Sequence, residues 1–172
     1  TFGSPVSETQ AGKSAMSWKD AMSVGAIGVT GTSAANLLAK DADVVLVIGS
    51  RLQDFTTASK QGFAPDVKLL HLNVSNYDGQ KMDGITLQAD AKSGLESLSA
   101  ALRESGYQTD AAYRERVSQL QAEWNAEVDR LYLLTSEEGN VQTNIVGALN
   151  EFMAPEDVIL CAAGSLPGDL HR

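Results

Sequence analysis

The feature that most constrains the fold of this chain is a run of five consecutive apolar residues, Val44–Ile48, four of them β-branched. The run shows no alternation of apolar and polar positions, which a strand with one face in water would show. It is typical of a central strand of a parallel sheet, buried on both faces by helices. The sequence therefore predicts an α/β fold built around Val44–Ile48.

Further strands and helices alternate with this run. Short segments rich in β-branched residues predict three more strands, at residues 5–8, 67–74 and 85–88. Thr32 or Ser33 is the predicted N-cap of a helix that ends at Lys40, and Asp90 is the predicted N-cap of a helix that ends near Glu104. Strands and helices that alternate in this way predict a doubly wound parallel sheet flanked by helices.

The second half of the chain has a different pattern. Apolar residues recur at spacings of three and four between residue 109 and about residue 134, which predicts a long amphipathic helix. A shorter helix is predicted at 141–153. Residues 157–163 form a second apolar run, which predicts another fully buried strand. Within that strand Cys161 is expected to be a small, buried, apolar residue.

Charge and composition limit the possible partners. The chain has 172 residues and a net charge of -9, so it repels nucleic-acid phosphates and anionic lipid headgroups, and neither partner is expected. Its length allows one domain, or one domain and part of another. A single cysteine excludes a disulfide framework, and no apolar stretch approaches the roughly 18 residues of a membrane span. A cytoplasmic location is expected.

Two glycine-containing segments resemble phosphate-binding motifs only in part. Gly12-Lys13 resembles the end of a P-loop, but position 7 is Ser where that loop needs Gly, so Lys13 is interpreted as an ordinary loop lysine. Gly25, Gly28 and Gly31 stand three apart directly before a predicted helix, without a predicted strand in front of them. Two interpretations stay open for them: a tight turn, or a present or vestigial nucleotide site.

Residues after the predicted strands were considered as ligand contacts, because open parallel sheets bind ligands beyond the carboxyl ends of their strands. Arg51 follows the second predicted strand and either binds a phosphate or pairs with Asp54. Asn73 stands where an acid that binds a ribose is expected. His71 and His171 form no cluster with other ligands, and no catalytic or metal-binding residue is predicted in this chain.

Four segments of the chain look familiar, and they are distributed along nearly its whole length: 5–13 (PVSETQAGK), 24–35 (VGAIGVTGTSAA), 48–57 (IGSRLQDFTT) and 156–170 (EDVILCAAGSLPGDL). They resemble the trihydroxycyclohexanedione acylhydrolase family of inositol catabolism. That family is part of the thiamine-diphosphate-dependent superfamily, which includes acetohydroxyacid synthase. The resemblance implies a Rossmann-like middle domain, truncated at both ends of this chain.

The resemblance also implies a division of the chain and several site residues. Residues 1–105 correspond to the middle domain without its first strand and helix, 106–139 to a helical linker, and 140–172 to the start of the diphosphate-binding domain. Gly164, Ser165 and Leu166 correspond to a loop near bound thiamine diphosphate. Related synthases and oxidases hold FAD or ADP in the middle domain, which implies a vestigial nucleotide site at Gly28, Gly31 and Arg51.

The implied reaction is the cleavage of a cyclic diketone between its two carbonyl carbons, with water releasing the acyl group as an open-chain deoxyglucuronic acid. The whole enzyme is expected to use thiamine diphosphate and Mg²⁺ and to form a homo-oligomer, a dimer or a tetramer. Because the catalytic groups of the family lie elsewhere, this chain is expected to be inactive alone and to bind neither cofactor. Two alternatives stay open: part of an acetohydroxyacid-synthase-like carboligase, and a nucleotide-binding module without catalysis.

Overall fold

The computed structural model describes residues 2–137, 139–154, 156–162 and 164–171, and within them the chain is a set of parallel strands flanked by helices. The strands are β1 (Val6–Glu8), β2 (Ser23–Ala26), β3 (Val44–Ile48), β4 (Lys68–Asn73) and β5 (Ile85–Gln88). The helices are α1 (Ser33–Asp41), α2 (Asp54–Thr57), α3 (Asn76–Gln80), α4 (Ala91–Glu104), α5 (Ala111–Tyr132), α6 (Gln142–Phe152) and α7 (Ser165–His171). This architecture confirms the predicted α/β class.

The strands form two parallel sheets, one of β1 and β2 and one in the order β3-β4-β5. All four strands predicted in the first half of the chain are present. β2 was not predicted, because its sequence, Ser-Val-Gly-Ala, has one β-branched residue and a glycine. Gly28 and Gly31 therefore do follow a strand, which corrects the interpretation made from the sequence.

The predicted helix caps are present. Thr32 is the N-cap of α1: its hydroxyl accepts a hydrogen bond from the Ala35 amide at 2.9 Å and donates one to the Val24 carbonyl at 2.7 Å. The Asp90 side chain accepts from the Ser93 amide at the start of α4. These bonds satisfy amides that the first turn of a helix leaves without a partner, and so fix where each helix begins.

Two apolar clusters form the core, and α1 contributes to both. In the first cluster Ala34, Ala35 and Leu38 of α1 pack against Val24 of β2 and against Val117 and Leu120 of α5. In the second cluster Ala39 of α1 packs with Val47, Leu52, Phe63 and Leu69. The long amphipathic helix predicted from the sequence is thus confirmed as α5, with Val117 and Leu120 as its buried residues. None of the helices in the described ranges is both long and apolar enough to cross a membrane.

The prediction that β3 is buried on both faces is wrong. Val47 is 5% exposed, whereas Val44, Leu46 and Ile48 on the opposite face are 46%, 40% and 41% exposed. Right-handed crossovers place the connections from β3 to β4 and from β4 to β5 on the same face, where Leu52 and Phe63 pack. On the other face of the sheet, α4 covers Leu72, which packs against Gly94 of that helix. No described residue covers this face at β3, where Val44, Leu46 and Ile48 are exposed.

The strand predicted at 157–163 is also wrong for the residues that the structure describes there. Residues 156–162 are not in a strand, and Val158 and Leu160 are 80% and 93% exposed. Cys161 is exposed, so its expected burial is wrong as well. A buried strand needs neighbours on its edges and faces, and no strand in the described ranges pairs with this segment. Residue 163 of the prediction lies outside the described residues.

Candidate functional site

The candidate site lies where β1 and β2 end, at the edge where open parallel sheets bind ligands. Glu8 is the last residue of β1 and leads into a single 3-10 turn, Gln10–Gly12, that ends before Lys13. Ala26 is the last residue of β2 and leads into the Gly28–Gly31 loop. Helix α7 packs against both of these segments, so the far end of the chain returns to the ends of its first two strands.

Three contacts hold α7 in this position. The Nδ1 atom of His171 lies 2.8 Å from the hydroxyl oxygen of Thr30. The Lys13 ammonium donates a hydrogen bond to the His171 carbonyl at 2.9 Å. Gly168 lies against Thr30 so closely that an added Cβ would be 3.1 Å from the Thr30 methyl carbon. His171 is only 3% exposed as a result.

The electrostatics of the contact favour a neutral His171. Burial lowers the pKa of His171, the Lys13 charge lowers it further, and the backbone of Thr9 and Glu8 and the Glu8 carboxylate act in the opposite direction. The Nε2 atom is buried and has no hydrogen-bond partner in the described residues. In the tautomer that carries its proton on Nε2, Nδ1 accepts the hydroxyl proton of Thr30.

Lys13 has a role that its P-loop-like context does not suggest. Its ammonium binds a carbonyl oxygen of α7, and burial lowers its pKa while the Glu8 carboxylate raises it. The Glu8 carboxylate also accepts a hydrogen bond from the Met16 amide at 2.7 Å, which holds the segment after β1 in place. Lys13 therefore serves as an anchor for α7, in agreement with the interpretation of an ordinary loop lysine.

The residues predicted to lie near thiamine diphosphate, Gly164, Ser165 and Leu166, form the turn into α7. Gly164 has a φ of +146°, and no atom lies within 4 Å of the position of an added Cβ, so its backbone is open to solvent. The Ser165 hydroxyl donates to the Gln142 side-chain oxygen at 3.4 Å, and the Gln142 amide group donates to Asp169. Gln142, the first residue of α6, thus contacts both the start and the second half of α7.

An open glycine backbone at this turn fits contact with one end of a diphosphate, because an anionic group can approach its amides without meeting a side chain. The described part of the chain contains no group of three or more His, Cys, Asp or Glu residues placed to hold a metal ion. The residues present therefore fit a backbone contact with the cofactor.

Gly28 and Gly31 have packing roles in the loop after β2. Gly28 has a φ of +106°, and an added Cβ would lie 2.3 Å from the Phe55 carbonyl oxygen. An added Cβ on Gly31 would lie 2.7 Å from the Ala26 carbonyl oxygen. The Asn36 side chain binds both the amide and the carbonyl of Gly28 at 2.9 Å. These contacts favour the tight-turn interpretation, and a nucleotide site here stays a prediction.

Asn73 is the last residue of β4 and Arg51 follows the neighbouring strand β3, and the structure brings both residues to the same edge. Asn73 is buried: it donates to the Ser50 carbonyl at 3.3 Å and accepts from the Ser75 amide at 3.0 Å. Asn73 thus ties the ends of β3 and β4 together, which explains an amide where an acid was expected. Arg51 is exposed, and in the described residues no salt bridge joins it to Asp54.

Sequence reasoning missed the residues that connect the Gly28–Gly31 loop to the helix that begins after Gly164. Thr30 lies between Gly28 and Gly31, and it contacts the helix that begins next to Gly164. Thr30 and Lys13 are 141 and 158 positions away from His171. No local spacing connects residues so distant, and His171 stood apart from any recognisable cluster.

Comparison with known proteins gives one family and a consistent set of relatives. The family described as "Thiamine pyrophosphate enzyme, central domain" matches residues 1–98. The chain is 37% identical to the 3D-(3,5/4)-trihydroxycyclohexane-1,2-dione hydrolase of Clostridium tetani, over 99% of this chain and 30% of that protein.

Proteins of the same name give similar values: that of Geobacillus thermodenitrificans is 38% identical over 99% of this chain, and that of Bacillus cereus is 39% identical over 100%. The chain spans about 30% of the length of the curated relatives it matches. The similarity therefore extends over nearly all of this chain and leaves most of each relative unmatched.

Proposed function

Since this chain belongs to the family of thiamine pyrophosphate enzyme central domains, we propose that it is part of a hydrolase that cleaves a carbon–carbon bond in a cyclic 1,2-diketone. The observation that carries the proposal is the similarity, along nearly the whole chain, to proteins named trihydroxycyclohexanedione hydrolases. The open turn at Gly164–Leu166 supports a contact between this chain and the cofactor. The proposed substrate is a trihydroxycyclohexanedione and the proposed product an open-chain 5-deoxyglucuronic acid of inositol catabolism.

We propose that residues 1–105 are a middle domain, 106–139 a helical linker and 140–172 the start of a diphosphate-binding domain. The family match ends at residue 98, inside α4, and the long α5 follows as a separate helix at Ala111–Tyr132. The proposal that this middle domain lacks a strand and a helix is supported by β3. One edge of β3 has no ladder partner in the described ranges, and Val44, Leu46 and Ile48 are exposed beside it.

When bound, thiamine diphosphate supplies the electron sink for cleavage of the bond between the two carbonyl carbons, and Mg²⁺ holds its diphosphate. This chain contributes the backbone of Gly164 and its neighbours Ser165 and Leu166 as contacts. It also orients that turn, because Gln142 and Thr30 hold α7 from two sides. One water is added across the cleaved bond, so the acyl carbon becomes a carboxylate, the other carbonyl carbon becomes an aldehyde, and no oxidant is needed.

We do not expect the residues of this chain to supply the activating groups of such a reaction. We therefore propose that the isolated chain is inactive and binds neither thiamine diphosphate nor Mg²⁺. A turnover assay of the chain with the diketone, thiamine diphosphate and Mg²⁺ is expected to give no product above a control without protein. Hydrolysis by the chain alone would contradict this part of the proposal.

The activity itself is tested on a longer protein that contains this sequence. Consumption of the cyclic diketone, with one acid group formed per turnover and strict dependence on thiamine diphosphate, is the expected result. Condensation of 2-oxo acids without diketone hydrolysis would instead identify an acetohydroxyacid-synthase-like carboligase. Titration of the chain with ADP, FAD and NAD tests the nucleotide-binding alternative at Gly28, Gly31 and Arg51. We expect no heat of binding from any of the three nucleotides.

We further propose a cytoplasmic homo-oligomer whose partner is a small molecule. The net charge of -9 supports this, because it disfavours nucleic acids and anionic membranes as partners. Sedimentation of the longer protein, with a dimer or a tetramer expected, tests the proposal.

A further inference from the structure

We propose that His171 is a positioning residue for the turn at Gly164, Ser165 and Leu166, because it anchors α7 to the segments that follow β1 and β2. The inference rests on the proposed function for the statement that this turn meets a cofactor. The anchoring itself rests only on contacts within this chain. Its consequence is that Thr30 and Lys13, far away in sequence, determine where the turn lies.

The anchor is specific because polar groups of two different segments converge on one buried residue, Thr30 on the His171 side chain and Lys13 on its backbone carbonyl. Thr30 reaches Nδ1 of His171 at 2.8 Å, and Lys13 reaches its carbonyl oxygen at 2.9 Å. His171 is 3% exposed, which is unusual for an ionisable side chain on a short helix. Hydrogen bonds buried in this way are directional, so they fix both the depth and the rotation of α7.

The turn at Gly164 needs an external anchor. Among the described residues other than its chain neighbours, none lies within 4 Å of the Cβ position of Gly164, and the segment 156–162 before it is exposed and outside any strand. The Ser165 contact with Gln142 is long, at 3.4 Å. The position of the turn is therefore determined mainly from the C-terminal side, by the half of α7 that contains Gly168 and His171.

The charged groups around His171 make the anchor sensitive to protonation. Lys13 faces it from the segment after β1, Glu8 from β1, and Asp169 lies two residues away on α7 itself. The loop after β2 contributes Thr30 and no charged residue. A proton added to His171 places a second positive charge beside Lys13 in a buried site, and the Glu8 carboxylate and the backbone of Thr9 and Glu8 oppose the cost.

Hydrogen exchange of the chain, followed by mass spectrometry, tests the anchor. We expect Thr30→Val and His171→Leu to raise amide exchange in peptides that cover residues 164–171 by about fivefold, the factor that corresponds to loss of one net hydrogen bond. His171→Asn keeps an acceptor near the position of Nδ1 and is expected to restore part of the protection. Thr86→Val is the matched control, because it removes a buried hydroxyl that has no partner in the described residues.

The pH profile separates the anchor from a general packing role. Between pH 7.5 and 5.5, after correction for intrinsic exchange, the wild-type chain is expected to lose protection at 164–171 while α5 keeps it. Lys13→Met is expected to weaken that pH dependence, and His171→Asn to abolish it. The anchor is overturned if His171→Leu exchanges like the Thr86→Val control, or if α5 loses protection in parallel.

None of these measurements involves cofactor or substrate, so their outcome is independent of the proposed function. In the longer enzyme, Thr30→Val is expected to raise the KM for thiamine diphosphate more than it lowers kcat. An unchanged KM, together with the exchange results above, would leave α7 anchored and refute its role in positioning the cofactor turn.

Discussion

Gly28 is the residue at which the backbone of the candidate site is most tightly constrained. Its φ is +106°, and a Cβ would lie 2.3 Å from the Phe55 carbonyl oxygen. Gly49 offers a matched comparison, because its φ is also positive, at +62°, but nothing lies within 4 Å of its Cβ position. The two glycines therefore separate the cost of an unusual backbone angle from the cost of a clash.

The first prediction compares alanine at these two glycines. Gly49→Ala is expected to lower the free energy of unfolding by about 1–2 kcal/mol, the cost of a left-handed backbone for a residue with a Cβ. Gly28→Ala adds a clash with backbone, and we expect a loss of about 3 kcal/mol or more. Urea unfolding with an unchanged slope measures both losses. Equal losses would show that the Phe55 contact relaxes without cost.

His71 is a second residue that the fold holds in an unusual state. It is 1% exposed on β4, opposite Thr86 of β5, and neither ring nitrogen has a hydrogen-bond partner in the described residues. Burial lowers the pKa of His71, the Lys81 charge lowers it further, and Asp78 raises it. The folded chain therefore prefers neutral His71 more strongly than the unfolded chain does.

The second prediction concerns acid stability. As the pH falls below about 6.5, the unfolded chain binds a proton at residue 71 before the folded chain does, so stability decreases until the pH passes the lowered folded-state pKa. His71→Leu is expected to reduce the drop in the urea midpoint between pH 7.5 and 5. His171→Asn serves as the parallel variant, because the pKa of His171 is also lowered. A pH profile that neither variant changes would contradict the prediction.

At the scale of single elements, β3 shows how a strand with a uniform sequence acquires two different faces. Val47 is buried with Leu52, Phe63 and Leu69, whereas Val44 on the other face is 46% exposed. The two residues have the same side chain and lie in the same strand. Their difference in burial therefore comes only from which face the crossover connections cover.

The third prediction tests these faces by truncation. Val47→Ala removes two methyl groups from the core and is expected to cost about 2 kcal/mol of unfolding free energy. Val44→Ala is expected to cost less than half as much, because part of its surface is already in water. Unfolding of the isolated chain in urea measures both. Equal costs would mean that the open face of β3 is covered in solution.

The fourth prediction concerns the start of α5. The Asp110 side chain accepts a hydrogen bond from the Tyr113 amide at 2.6 Å and caps the helix. Asp110→Ala is expected to lower stability by about 1 kcal/mol, and Asp110→Asn, which keeps the acceptor, by much less. Thermal unfolding followed by helical circular dichroism provides the comparison. An Asn variant as unstable as the Ala variant would show that the cap acts only through its charge.

Elements with strong local signals were predictable from the sequence, and those set by distant partners were not. The helix caps at Thr32 and Asp90 depend on residues only three positions away, so they can be predicted from the sequence. The same holds for α5, whose apolar residues recur at helical spacing. β2 has little intrinsic strand preference and forms because β1 and α1 pack beside it. The anchor at His171 depends on contacts more than 140 positions away, which no local pattern encodes.

The same reasoning explains why burial on two faces was wrongly predicted for two apolar runs. The runs at Val44–Ile48 and 157–163 are both apolar throughout, and from sequence alone both indicate burial on two faces. Burial, however, is a property of the neighbours and not of the run. β3 has β4 beside it and becomes a strand with one covered face, whereas residues 156–162 have no pairing strand in the described ranges and stay exposed.

At the scale of the whole molecule, two surfaces of the described residues each bring several exposed apolar side chains together. One is the open face of β3, with Val44, Leu46 and Ile48 beside an edge that has no ladder partner in the described part of the chain. The other is the segment 156–162, in which Val158, Ile159 and Leu160 are 80%, 43% and 93% exposed. An extended apolar segment and a free strand edge are complementary, because each supplies the backbone groups and side chains that the other lacks.

The fifth prediction is that the isolated chain self-associates through these surfaces. Sedimentation velocity is expected to show a shift from monomer to dimer or larger species as concentration rises, because contact between copies covers apolar surface. Leu160→Lys is expected to shift the equilibrium toward monomer. Leu133→Lys is the matched control, because Leu133 is also 80% exposed but is the C-cap of α5 and belongs to neither surface. Association that both lysine variants reduce equally would assign it to general hydrophobicity, and a chain that stays monomeric at all concentrations would refute the pairing altogether.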